Sequence, residues 1–158
     1  MKILVSSCLL GCNCKYNGEN NYNEEVIQFL KNHEVICVCP EQLGGLSTPR
    51  LPSEIKNCRV IHKNGQDVTD NFKLGAKNTL HIAKNNHCTV AILKKRSPSC
   101  GFGEIYDGTF TSNVIEGNGI TAELLFKNGI EIFNETNFKK IMKGERHEQY
   151  KKDEKNDN

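Results

Sequence analysis

The chain lacks any apolar run approaching the ~20 residues that a helix needs to cross a bilayer. Its first residues, Met1-Lys2-Ile3-Leu4-Val5, pass straight into a strand-like segment without the cleavage pattern of a secretory leader. Both absences lead to the expectation of a cytosolic protein with no membrane partner. An excess of one charge is missing too. The sequence has 21 Lys and Arg against 19 Asp and Glu, a net charge of +2, which is too even a balance for a nucleic-acid surface. No Gly-x-Gly-x-x-Gly follows the first strand, so no dinucleotide cofactor is indicated. No Cys-x-x-Cys pair occurs, which removes the usual signature of structural zinc. Internal repeats are absent as well.

Cysteine, by contrast, is abundant, with eight in 158 residues. Without a secretion signal, a disulfide framework is disfavoured and metal binding or thiol chemistry takes its place. A hydrophobic content of 37% suits one core rather than two. One domain is therefore expected over residues 1–142. Residues 143–158, charged and poor in apolar side chains, read as a disordered tail.

Hydrophobic patterning predicts strands at 2–7, 34–39, 88–94 and 131–133. It predicts helices at 24–32, 67–86 and 119–127, with a last short one from Thr136 to Met142. Residues 41–57 read as a polar, turn-rich stretch, and Tyr106-Asp107-Gly108-Thr109 as a weak hairpin turn. Alternating strands and helices predict an α/β fold, a three-layer Rossmann-like and mostly parallel sheet with helices on both faces. Such sheets bind ligands at the carboxyl ends of their strands, near the point where strand order reverses.

Three cysteines fall at three strand ends. Cys8 follows the first strand, Cys39 closes the second, and Cys100 lies in the loop leaving the strand at 88–94. In a parallel sheet all three thiols share one edge. Three thiolates suit an iron–sulfur cluster, and a cubane held by three leaves one iron open to a substrate atom. Cys12 and Cys14 share the loop of Cys8, and either could be a fourth ligand, a resolving thiol or a plain loop residue. Cys37 and Cys88 read as core residues, and Cys58 as structural. The five histidines are scattered and receive no role. The residues alone leave four readings open. They are a catalytic open cluster, a non-catalytic cluster sensor or carrier, a metal-free thiol enzyme using Cys100, and a zinc module.

Four stretches resemble the thiouracil desulfurase family. The first is Ser6-Ser7-Cys8-Leu9-Leu10-Gly11, with Lys15-Tyr16-Asn17-Gly18 after it. The second is Cys39-Pro40-Glu41 with Gly44-Gly45-Leu46-Ser47-Thr48-Pro49-Arg50. Ser97-Pro98-Ser99-Cys100-Gly101 and Gly117-Asn118-Gly119-Ile120-Thr121-Ala122 complete the set. The resemblance covers residues 1–142 and implies a 4Fe–4S cluster on Cys8, Cys39 and Cys100. It implies that the sulfur of a small thiolated pyrimidine binds the open iron, with Glu41 and Ser97 assisting catalysis. Ser7, Arg50, Gly119 and Thr121 make up the expected substrate-binding set. Lys15, Asn17 and Ser47 depart from the Arg, Asp and Pro that the family often carries. The expected chemistry is a non-redox exchange of sulfur for oxygen, releasing sulfide. The run Lys94-Lys95-Arg96 leaves thiolated RNA open as a carrier of the base, and oligomeric state is not legible.

Overall fold

The computed structural model describes residues 1–141. The expected tail at 143–158, and Met142, lie outside the described residues. Four parallel strands form the central sheet in the order β2-β1-β5-β8: β1 (Lys2–Ser6), β2 (Glu34–Val38), β5 (Val90–Leu93) and β8 (Glu131–Asn134). Strand side chains alternate between faces, and both faces are covered. Leu4, Ala91, Leu93 and Ile132 pack against helices α3 (Thr69–Asn85) and α4 (Ile120–Lys127) through Leu80, Ala83, Ala122 and Leu125. Ile3, Val5, Val90, Ile92 and Phe133 face the other way, onto α1 (Glu24–Leu30) and a 3-10 turn at Phe138–Ile141. This is the three-layer arrangement that the pattern predicts. Among the described residues no helix is long and apolar enough to cross a membrane.

The chain runs from β1 outward to β2, then crosses back over β1 to reach β5 and β8. Right-handed crossovers require the helices to change face when the direction of travel reverses. Accordingly α1 lies on one face, and α3 and α4 lie on the other. The reversal lies between β1 and β5, and the loops leaving their carboxyl ends part there.

The stretch expected to be turn-rich at 41–57, and the residues after it, contain a helix and a hairpin. A short helix, α2 (Pro40–Leu43), starts where the second strand was expected to end, and Cys39 is its N-cap. Strands β3 (Ser53–Lys56) and β4 (Arg59–His62) then form an antiparallel hairpin. Its turn residues Asn57 and Cys58 both have positive φ, +50° and +62°, as a two-residue hairpin turn of the primed type needs. The second hairpin pairs β6 (Glu104–Tyr106) with β7 (Val114–Glu116). Its connection is a long loop over 107–113 rather than the tight turn expected at 106–109. Cys37 also departs from expectation, because β2 is an edge strand and leaves it exposed, whereas Cys88 is buried as read.

Helix α2 touches α3 backbone to backbone. A Cβ on Gly75 would lie 2.0 Å from the Pro40 carbonyl oxygen, and one on Gly44 would lie 2.0 Å from that of Asn71. Asn71 and Asn78 of α3 also donate to the carbonyls of Gly44 and Leu43, both at 2.9 Å. Neither backbone can yield to a methyl group. Gly75→Ala is therefore expected to lower the unfolding free energy by about 3 kcal/mol, the upper range for overpacking. The measurement is a shifted urea midpoint at unchanged slope.

Candidate active site

The loops at the reversal point surround a cavity of about 430 Å³. Cys8, Cys39 and Cys100 all line it, and Cys14 lines it with them. Cys8 sits in a 3-10 turn (Ser7–Leu10) that ends on Gly11 at φ +96°. Cys39 caps α2, and Cys100 ends the Ser97–Cys100 turn. Ser6 joins two of these loops: its Oγ accepts the Lys94 N–H at 3.0 Å and donates to Cys100 Sγ at 3.4 Å. The sequence gives no signal for that bridge beyond the Ser-Ser doublet.

Cys14 is buried between Cys8 and Cys39, and its carbonyl oxygen accepts from Cys39 Sγ at 3.8 Å. Its two thiol neighbours, with burial, push its own thiol far up. The same proximity acts in the opposite direction on those neighbours. Cys14 lowers Cys39 to about 7, helped by the Gln42 N–H in the first turn of α2. Cys14, followed by Asn21, also holds Cys8 below the ordinary thiol value. Cys100 is different, because burial pushes it up to about 12. Cys12 is exposed and does not line the cavity.

A metal–sulfur centre requires its ligands as thiolates. Two of the three strand-end thiols are already biased that way, and a positive iron would replace the proton on the buried third. Among the described residues no three His, Cys, Asp or Glu side chains converge closely enough for one metal ion. Thiols distributed around a cavity of this size fit a centre larger than a single ion, and the donor set suits iron and sulfide.

Glu41, in the first turn of α2, reaches the same cavity. Its Oε2 accepts from Arg50 Nη2 at 2.6 Å. The Arg50 side chain is only 4% exposed and is fixed by further bonds to the Cys14 carbonyl (2.9 Å) and Thr48 Oγ1 (2.9 Å). Its buried Nε has no partner among the described residues. Among the described residues Glu41 Oε1 accepts no hydrogen bond, so this oxygen is the free end of a clamped carboxylate. Ser97 also lines the cavity, and its Oγ accepts the N–H groups of Ser99 (3.0 Å) and Cys100 (2.9 Å). Those two bonds orient the hydroxyl and leave its proton to donate. Ser7 completes the wall beside Cys8.

Gly119 and Thr121 do not line this cavity. The α4 N–H groups meet the Ser97–Cys100 turn instead: Ile120 donates to the Pro98 carbonyl (2.9 Å), and Thr121 and Ala122 to that of Ser99 (2.9 and 3.1 Å). Thr121 is fully buried and takes the Ser99 hydroxyl at 3.2 Å. Gly119 packs so closely that a Cβ would lie 2.5 Å from the Ser99 carbonyl oxygen. The crevice expected in front of this helix end is filled by the turn it supports. Missed altogether were the hairpin residues Ser53, Glu54, Tyr106 and Phe110, which wall the cavity.

The profile of the 2-thiouracil desulfurase family matches residues 3–137. The chain belongs to the 2-thiouracil desulfurase family. Among its curated relatives is the uncharacterized protein YbbK of Bacillus subtilis (strain 168), 40% identical over 150 residues, which span 89% of this chain and 99% of YbbK. Among solved structures, the 4Fe–4S-dependent thiouracil desulfidase TudS superposes with a TM-score of 0.85 at 36% identity. That match covers 90% of this chain and 96% of TudS. Both the α/β architecture and the parallel sheet are thus those of a desulfurase of this family.

Proposed function

We propose that this protein removes sulfur from a small thiolated pyrimidine, converting thiouracil to uracil and sulfide at a 4Fe–4S cluster. Cys8, Cys39 and Cys100 would hold the cluster. The observation that carries the reading is their convergence, from three adjacent parallel strands, on one cavity that also receives a clamped carboxylate. When bound, the cluster supplies an open iron, a soft Lewis acid toward the thiocarbonyl sulfur.

The chain's own groups supply the rest. Arg50 fixes one oxygen of Glu41, and the free oxygen takes a proton from the attacking water as it adds to the thiocarbonyl carbon. Ser97 donates its O–H to the ring, with its direction set by the two N–H groups that it accepts. Ser7 and Arg50 bound the substrate beside Cys8 and Glu41. One water enters, carbonyl oxygen replaces sulfur, and hydrogen sulfide leaves. No electrons are transferred, so no redox cofactor is required.

Reconstitution with iron and sulfide without oxygen, followed by a thiouracil assay on the same sample, tests this reading. About four irons per chain and release of uracil with equimolar sulfide are expected. Iron uptake without uracil would leave a cluster protein of another kind, and no uptake would overturn the reading.

A further inference from the structure

None of the five histidines carries a sequence signal, yet one lies directly behind the cavity wall, bonded to a residue that lines it. His62, the last residue of β4, is 7% exposed and pairs across the hairpin with Ser53, the first residue of β3. Ser53 Oγ and His62 Nδ1 are 2.5 Å apart. Ser53 lines the cavity on a wall made by the hairpin rather than by the sheet. Its neighbour Glu54 is already committed, accepting the N–H groups of Gly108 (3.0 Å) and Phe110 (3.1 Å) through one carboxylate oxygen. Arg50 is committed to Glu41, and Lys94 to Glu135 at 3.0 Å.

A serine hydroxyl has one proton to donate and two lone pairs to accept with. Burial holds the His62 ring below the ordinary histidine value, so it is neutral at pH 7. Either ring nitrogen can carry the proton; in the Nε2–H tautomer, the more stable one in water, Nδ1 accepts the Ser53 O–H, and Ser53 keeps its lone pairs for the cavity. A free serine rotates among its rotamers, whereas one bonded to a buried imidazole presents its acceptor in one direction. Thiouracil and uracil carry N–H donors flanking the reacting carbon, and these match that acceptor.

We propose that Ser53, held in place by His62, accepts a hydrogen bond from a ring N–H of the pyrimidine. Ser53 is then a specificity-determining residue and His62 its positioning residue. Nitrogen N1 carries the sugar in a nucleoside, so reading N1–H would restrict the enzyme to free bases. Reading N3–H would admit nucleosides. The inference rests on the desulfurase reading above and adds the side chain that selects among its substrates.

The test measures binding and turnover separately on the reconstituted protein. Calorimetry gives the affinity for uracil, 1-methyluracil and 3-methyluracil, and steady-state kinetics follow the matching thiouracils. Ser53→Ala is expected to weaken uracil binding about tenfold, the worth of one hydrogen bond to a fixed acceptor. KM for thiouracil rises by about the same factor, with kcat within about twofold. One methylated ring, the one lacking the N–H that Ser53 reads, should bind both proteins equally. Ser53→Thr restores the wild-type values, and His62→Phe reproduces the rise in KM without loss of iron.

Equal affinity of wild type and Ser53→Ala for uracil overturns the inference. So does an identical methylation penalty in the two proteins, or a fall in kcat at constant KM. If wild type releases sulfide and Ser53→Ala is unaltered, only the role of Ser53 fails. If uracil binding depends on Ser53 but no sulfide appears, the desulfurase reading fails and the recognition site stands. A wild-type protein that binds no pyrimidine overturns both.

Discussion

Cys100→Ala is expected to abolish iron loading, dropping it from about four irons per chain to well below one after identical reconstitution. A cluster held by three thiolates cannot spare one, and Cys100 has no spare thiol at hand. Among the described residues its sulfur bonds only to hydroxyls, those of Ser6 and Ser99. Cys8→Ala and Cys39→Ala should also lose iron, but each leaves the Cys14 thiol beside the vacated position. Cys100→Ala is therefore the cleaner experiment, and Cys14→Ala is its control. Iron content should survive in Cys14→Ala if Cys8, Cys39 and Cys100 are the whole protein ligand set. Equal iron loss in Cys14→Ala and Cys100→Ala would mean four protein ligands and no open iron. A redox carrier would then be the better description.

Glu41→Gln should retain its iron and lose ~10²–10⁴ of its turnover, the usual worth of a positioned proton acceptor. The substitution keeps the shape of the side chain and an oxygen for Arg50. Basicity and the negative charge facing Arg50 are removed together, while uracil affinity should change little as kcat falls. The geometry explains the expected size of the effect: Arg50 is itself clamped by the Cys14 carbonyl and Thr48, which fixes where the free carboxylate oxygen points. Unaltered kcat in a fully loaded Glu41→Gln sample would remove Glu41 from the reaction. Lost iron would instead make it a support for Cys39, two residues before it.

The cysteines at the strand ends could be read from the sequence because each belongs to a local pattern. A buried apolar run followed by Cys identifies a parallel strand and its carboxyl end together. Glu41 was readable by its distance from Cys39. The hairpin wall was not. Its turn is Asn57-Cys58, with no glycine to mark the two positive-φ residues, and β3 carries one isoleucine among polar residues. Without that hairpin the Ser53–His62 pair cannot be foreseen, since it depends on cross-strand register. Gly119 and Thr121 show the converse limit. Their motif correctly marked a helix start, but only the tertiary structure reveals that the Ser97–Cys100 turn occupies it. Cys37 was misplaced because periodicity cannot distinguish an edge strand from a central one.

The strand order β2-β1-β5-β8 also constrains when the protein can become active during its synthesis. Translation delivers Cys8, Cys14 and Cys39 early, on neighbouring strands, while β5 and Cys100 emerge much later. A cluster that takes Cys100 as a ligand therefore cannot be completed until β5 has found its place beside β1, which puts loading late in maturation, after most of the chain has been made.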